Sequence, residues 1–302
     1  MTSLAAAGRA PRAVSLRKRL AARGLDGMTL LLLPGLLLIL ILFIYPLLFG
    51  IYDSLVPKAG AWYANYLTFF TTPFEYNTIW ATLQLAVPAT IVNVVVAIPI
   101  AFRVRHMRRQ RLLTTILVLP ITLGTVLIAD GLLNYLGPIG WFNRVLTSLH
   151  LVHRALRLTN NYWGVFASLV ITGFPFAFLL TLSYVSGIDP AIEQAAATLG
   201  AKPRQRFGRI SLPLLMPGLA VTFALAFVQA FTVFPSAVLL GAPAGPTRVI
   251  AIAAYQAAFE QYDHSMGAAI AIIMGLVQLV VILAVLSLRQ VFYRGPAAGG
   301  KG

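Results

Sequence analysis

The stretch IDPAIEQAAATLGAKPRQRFGRISLPLLMPG, residues 188–218, is the longest polar interruption in the second half of an otherwise strongly apolar chain. Of the 302 residues, 59% are hydrophobic and only 10% are charged, whereas an ordinary soluble domain has about 25% charged residues. So few charges cannot cover a water-facing surface. The chain is therefore expected to be a membrane protein, with this stretch forming a polar loop that leads into the next span.

Six charge-poor windows flank this loop, and each is long enough to cross a bilayer as a helix, which takes about 20 apolar residues. They predict spans at 28–50, 78–101, 112–135, 162–185, 212–236 and 266–288. The predicted fold is an all-α membrane protein with six transmembrane helices in residues 28–290 and a loop at 186–211. Short tails are predicted at 1–27 and 291–302.

The basic residues are distributed unequally between the two sides of such a bundle. One side, which carries both termini and the loop at 186–211, holds 18 of the Lys and Arg residues, and the other side holds five. Cytoplasmic loops of membrane proteins carry this excess of positive charge. Both termini and the loop are therefore predicted to be cytoplasmic.

Several functional classes lack the residues that they require. The chain has no cysteine and four histidines, and it contains neither an HExxH pair nor a GxxxxGK[ST] phosphate-binding loop. No metal site, catalytic group or ATP site is predicted on this chain. The net charge of +15 could suggest nucleic acid, but the basic clusters lie between apolar runs, so lipid headgroups explain them better.

The loop itself has the sequence signals of a short helix with a defined start and end. Asp189 can cap a helix that begins at Pro190, and Glu193 in the first turn suits the positive end of the helix dipole. Gly200 is placed to end the helix in a left-handed turn. Lys202 and Pro203 then start a second short segment that leads into the fifth span.

The order of residues in this loop resembles the EAA loop of ATP-binding-cassette (ABC) importer permeases. The matching positions are Ala195, Ala196, Gly200, Phe207, Ile210, Leu212 and Pro213. Gln194 stands where the family has Glu, and Glu193 lies one residue earlier. With Asp189 and Ala201, these residues form the predicted ATPase-coupling segment. The resemblance implies a type I ABC importer permease bundle in which this segment acts as a lever.

Two further segments resemble polyamine-type permeases, namely LLNYLGPIGWFNRVL at 132–146 and TRVIAIAAYQAAFEQYDHSMGAAIAIIMG at 247–275. That group implies a multi-pass protein of the bacterial inner membrane. Its expected partners are an ABC ATPase dimer that binds ATP and magnesium, a second and different permease chain, and an extracytoplasmic substrate-binding protein. The resemblance implies a pathway for a small polar, cationic or zwitterionic solute similar to a polyamine. The alternative solutes are an aminophosphonate, thiamine, iron, an opine or a sugar, and sugar permeases match less well. An ATP-independent secondary transporter is the remaining alternative.

Three residues are candidates for the substrate pathway, each with a structural alternative. Asp130 could attract a cation or simply end the third span at the interface. Gln229 could line the pathway or form a hydrogen bond between helices. Tyr255 could contact substrate or belong to an aromatic belt at the membrane surface.

Overall fold

The computed structural model describes the backbone of residues 27–292 and the side chains of residues 32–288. The predicted tails at 1–27 and 291–302 therefore lie almost entirely outside the described residues. The helices, numbered in chain order, are α1 Gly27–Ser54, α2 Ala64–Thr71, α3 Pro73–Arg105, α4 Gln110–Leu136, α5 Trp141–Ser148, α6 Tyr162–Ser186, α7 Pro190–Thr198, α8 Pro203–Arg206, α9 Leu212–Phe231, α10 Pro235–Leu240, α11 Ile250–Tyr255 and α12 His264–Phe292.

Six of these helices, α1, α3, α4, α6, α9 and α12, lie in the segments that are long and apolar enough to cross a membrane. Between residues 27 and 292 there is no strand. The predicted six-span, all-helical fold is confirmed. The described residues divide into two units, one up to Tyr52 and one from Asp53 onward, and the bundle described below belongs to the second.

Two span boundaries differ most from the prediction, by five residues each. Helix α3 begins at Pro73 rather than near 78, because proline suits the first turn of a helix and Glu75 in that turn favours the helix dipole. The fifth span was predicted to reach 236, but α9 ends at Phe231. A short break follows, and Pro235 starts the separate helix α10.

Helix α4 contains a break that the sequence did not predict. Gly124 has φ 73° and ψ 158° inside the helix, a backbone conformation that is essentially restricted to glycine. The break lies four residues after Pro120, whose ring already prevents one helical hydrogen bond. It turns the chain near the middle of α4.

The core of the second unit consists of two clusters of buried side chains. One is centred on Phe227 and Phe231 of α9 together with Ile250 of α11. The other joins Phe178 of α6 to Leu215 of α9. Helix α3 packs mainly against α6, and α9 packs against both, so these three helices form the frame that positions the loop at 186–211.

Candidate functional site

Helix α7 starts and ends as its sequence predicts. The Asp189 carboxylate accepts a hydrogen bond from the Ala191 amide at 2.9 Å, which satisfies one of the free donors of the first turn. Gly200 has φ 80°. The Gly200 amide donates to the Ala197 carbonyl and the Ala201 amide donates to the Ala196 carbonyl, both at 3.0 Å. This pair of bonds is the Schellman ending of a helix.

The chain then passes from α7 to α9 through a second ordered turn. The Lys202 amide donates to Gln205 Oε1 at 2.9 Å, which fixes the start of α8. A single π-helical turn at Phe207–Ser211 follows. The Phe207 ring packs edge-on against the Phe102 ring of α3, with 5.3 Å between the ring centroids. In the matched Leu-Pro segment, Ile210 and Leu212 are half-buried and Pro213 is exposed.

Helix α7 presents one apolar side to its surroundings. Ile192, Ala195 and Leu199 are exposed, and their spacing of three and four residues places them along one side of the helix. Leu199 is the most exposed of the three, at 88%. Ala196 is buried against the bundle, whereas Gln194 is exposed.

Glu193 points toward the bundle rather than away from it. Ser211 Oγ donates a hydrogen bond to Glu193 Oε1 at 2.9 Å, and Arg105 Nη1 lies 3.8 Å from the same oxygen. Arg105 Nη2 also donates to the Ile188 carbonyl at 2.7 Å. Sequence reasoning counted Arg105 only as one of many loop cations, and it missed Ser211.

Close packing joins α6 to α9 just beyond this loop. A Cβ atom added to Gly218 of α9 would overlap Cγ of Tyr184 in α6. The aromatic ring therefore rests directly on the glycine, and the two helices approach more closely here than any larger residue allows.

A cavity of about 210 Å³ is lined by residues of α4, α6, α9 and α10. Its polar lining comes from Thr125 just after the break in α4, Thr172 in α6, Gln229 and Thr232 at the end of α9, and Ser236 in α10. Ser236 Oγ also shares a hydrogen bond of 2.8 Å with Ser168 Oγ. All of these groups are hydroxyls or amides, and none of the described side chains that line this cavity is charged.

The three predicted pathway residues do not meet in one place. Gln229 lines the cavity, whereas Tyr255 lines a neighbouring groove whose rings include Phe234 at 5.0 Å and Phe259 at 5.2 Å. Phe234 lines both spaces. Asp130 lines neither, and its backbone carbonyl accepts a hydrogen bond from Asn134 Nδ2 at 3.0 Å.

A buried arginine holds the connection between α10 and α11 against the start of α3. Arg248 is 4% exposed, and its Nη2 lies 3.2 Å from Glu75 Oε1. Its Nη1 donates to the Phe74 carbonyl at 2.8 Å and to Glu75 Oε2 at 3.3 Å, and its Nε donates to Gln256 Oε1 at 2.9 Å. The guanidinium also lies 4.0 Å from the centre of the Phe74 ring. Sequence reasoning did not single out this arginine.

Comparison with known proteins adds family information to this geometry. A family profile described as "Binding-protein-dependent transport system inner membrane component" matches residues 90–295. The chain is 31% identical over 179 residues to the spermidine/putrescine transport system permease protein PotB of Haemophilus influenzae. That match covers 59% of this chain and 62% of PotB, so it spans less than two thirds of that relative.

Other similar proteins are named for different solutes. The chain is 26% identical over 277 residues to the sulfate transport system permease protein CysT of Salmonella typhimurium, covering 90% of this chain and 96% of CysT. A crystal structure of a bacterial alginate ABC transporter, in complex with its alginate pentasaccharide-bound periplasmic protein, matches with a TM-score of 0.77. At 24% identity, with 93% of this chain and 99% of the other covered, this likeness supports the fold.

Proposed function

Because the chain belongs to the family of binding-protein-dependent transport system inner membrane components, it is a permease subunit of an ABC importer, and we propose that it forms the pathway for a small cationic or zwitterionic solute such as a polyamine. In this proposal it lies in the inner membrane of a bacterium with both termini in the cytoplasm. It works with an ATPase dimer that binds ATP and magnesium, a second permease chain and an extracytoplasmic binding protein.

Helix α7 is the proposed contact with the ATPase. The observation that carries this assignment is the exposed apolar side of Ile192, Ala195 and Leu199 on a short helix whose two ends are fixed by hydrogen bonds. A large exposed apolar patch rimmed by polar residues marks a site of association with a protein or a membrane, and the proposed partner here is the ATPase. The turn at Gly200 and the start of α8 at Pro203 connect this contact to α9, so α7 can act as the predicted lever.

A single substitution tests the ATPase contact. Replacing Leu199 with Asp places a charge in the apolar side, so Leu199→Asp should lose both ATPase co-purification and ATP-dependent uptake in proteoliposomes. The matched control is Leu151→Asp, because Leu151 is also strongly exposed but lies between α5 and α6. The control should keep the ATPase bound. Normal ATPase binding and uptake by Leu199→Asp would refute the assignment, and uptake without any ATPase would favour a secondary transporter.

The cavity that contains Gln229 is the proposed substrate pathway, with Asp130 and Tyr255 as further contacts outside it. Similarity to PotB supports a polyamine. The uncharged lining of the cavity favours a second candidate, a neutral hydroxylated solute such as an oligosaccharide. If the solute is a polyamine, its countercharge in the pathway has to come from Asp130 or from the second permease chain.

The salt dependence of uptake distinguishes these two solutes. For a polyamine, Asp130→Asn should lower spermidine uptake several-fold relative to wild type at low ionic strength, and the difference should shrink above about 0.5 M salt, where charges are screened beyond a few ångströms. Gln229→Leu should lower uptake at every salt concentration. Uptake of an oligosaccharide but not of spermidine, with Asp130→Asn behaving as wild type, would replace the polyamine with the second candidate.

A further inference from the structure

We propose that Arg105 and Glu193 are positioning residues that fasten the coupling helix α7 to the end of α3, so that movement of α7 enters the bundle through α3 as well as α9. This inference rests on the proposed function, since it concerns how the proposed lever is attached. It assigns roles to two side chains that are 88 positions apart in the sequence.

Arg105 holds α7 at two points. It is the last residue of α3, and its Nη2 donates to the carbonyl of Ile188, the residue before the Asp189 cap. Its Nη1 lies 3.8 Å from the carboxylate of Glu193 in the first turn of α7. The chain just before α7 and the first turn of α7 are therefore both bound to one guanidinium.

Glu193 extends the same connection to the start of α9. Glu193 Oε1 accepts the hydrogen bond from Ser211 Oγ, and Ser211 is the buried last residue of the π-helical turn that leads into α9. One carboxylate oxygen thus contacts side chains that belong to α3 and to the entry of α9. The neighbouring Gln194 is exposed and takes no part in this clamp, which we define as Arg105, Glu193 and Ser211.

Because the clamp is largely buried, the Arg105 guanidinium needs the negative charge of Glu193 to compensate it. The Arg105 side chain is 8% exposed and the Glu193 side chain is 22% exposed. Within the described part of the chain, Arg105 Nη1 has no hydrogen-bond partner, so the nearby carboxylate is what compensates this end of the guanidinium. A buried cation that loses its only counterion is strongly destabilised, and α7 would then no longer be held against α3.

The consequence for coupling follows from how the bundle packs. Helix α3 packs mainly against α6, and α9 packs against both. With the clamp intact, a displacement of α7 moves the ends of α3 and α9 together. Without it, α7 remains attached to α9 only through the turn at Gly200 and α8, and part of the displacement is lost in that connection.

The first test separates coupling from assembly. Uptake and ATP hydrolysis are measured in proteoliposomes that contain the whole transporter, and their ratio is compared between variants. Glu193→Gln keeps an acceptor for Ser211 but removes the charge, so it should lower uptake per ATP hydrolysed about tenfold with ATPase co-purification unchanged. Glu193→Asp keeps the charge and should lie between this variant and wild type.

The matched control is Arg204→Gln, which removes an exposed cation from the neighbouring helix α8. It should leave the ratio of uptake to hydrolysis within about twofold of wild type, because Arg204 forms no ion pair with any described residue and a change in surface charge has little effect. A wild-type ratio in Glu193→Gln would overturn the clamp, and so would an equal loss in Arg204→Gln. If the wild-type transporter shows no ATP-dependent uptake, the proposed function fails together with the clamp.

A second test does not depend on how well the single variants fold. The chain has no cysteine, so a variant with Arg105→Cys and Glu193→Cys offers two unique thiols for a short bifunctional maleimide. Loss of both charges should lower uptake, and cross-linking should restore it toward wild type, because α7 is again fastened to α3. If cross-linking instead abolishes the remaining uptake, α7 has to move relative to α3 and the inference is wrong.

Discussion

Removing the charge of Glu75 should destabilise the bundle through the buried Arg248. In wild type the guanidinium is 4% exposed and the Glu75 side chain is 15% exposed, so neither group is well hydrated. Glu75→Gln keeps one acceptor oxygen but leaves the buried cation without a counterion among the described side chains. The connection between α10 and α11 would then lose its strongest attachment to the start of α3.

The expected cost can be derived from the contacts that remain. Breaking a buried ion pair by removing one partner typically costs about 3–5 kcal/mol. Arg248 keeps its hydrogen bonds to the Phe74 carbonyl and to Gln256 and its position over the Phe74 ring, which places the cost at the lower end, about 3 kcal/mol. At about 2–4 °C per kcal/mol for a domain of this size, the melting temperature should fall by about 6–12 °C.

Thermal unfolding of the detergent-purified chain measures the fall in melting temperature. Tryptophan fluorescence provides the signal, because the chain has no thiol to label. The matched control is Lys58→Met. Lys58 also pairs with an acid, Asp263 at 3.6 Å, but its side chain is 58% exposed, so the loss of this pair should cost under about 1 kcal/mol. The double variant Glu75→Gln with Arg248→Met should be less destabilised than the sum of its single variants, since the unpaired cation is gone. Equal melting temperatures for Glu75→Gln and Lys58→Met would refute the reasoning.

Three glycine substitutions give further predictions. Gly124→Ala forces a side chain into the glycine-only conformation at the break in α4, which costs about 1–3 kcal/mol. Uptake and melting temperature should both fall, and an unchanged melting temperature would contradict this. Gly218→Ala places Cβ against the Tyr184 ring and should cost about 1–3 kcal/mol, and Tyr184→Ala in the same chain should relieve part of it in the melting assay. Gly200→Asp strains the left-handed turn that ends α7, so uptake should be lost while membrane insertion, measured by fractionation, is retained.

The spans and the ends of α7 could be predicted because their causes are local. A bilayer demands about 20 apolar residues in succession, and such a run is visible in a single sequence. The Asp189 cap and the turn at Gly200 depend on bonds to backbone groups two to five positions away. Residue type and spacing are sufficient for contacts of this range.

The clamp and the Arg248 pair could not be predicted, because their partners are distant in sequence. Arg105 and Glu193 are 88 positions apart, and Glu75 and Arg248 are 173 apart. The residues next to a loop Lys or Arg in the sequence do not show whether the fold will bury that side chain. The break in α4 escaped prediction for a related reason, because a glycine within an apolar run is compatible with a continuous helix until its neighbours fix the chain direction.

Several acidic side chains form structural contacts, and acidic side chains are absent from the described lining of the cavity. Among the described side chains, Glu75 and Glu193 face buried arginines. Asp189 caps α7, and Asp263 accepts a hydrogen bond from the Met266 amide at the start of α12. Four of the chain's eight acids thus stabilise structure, and the cavity that contains Gln229 has none. If this cavity is the pathway, as proposed, so little fixed charge would hold a cation weakly and favour its release, and strong selection would then be the task of the proposed binding protein.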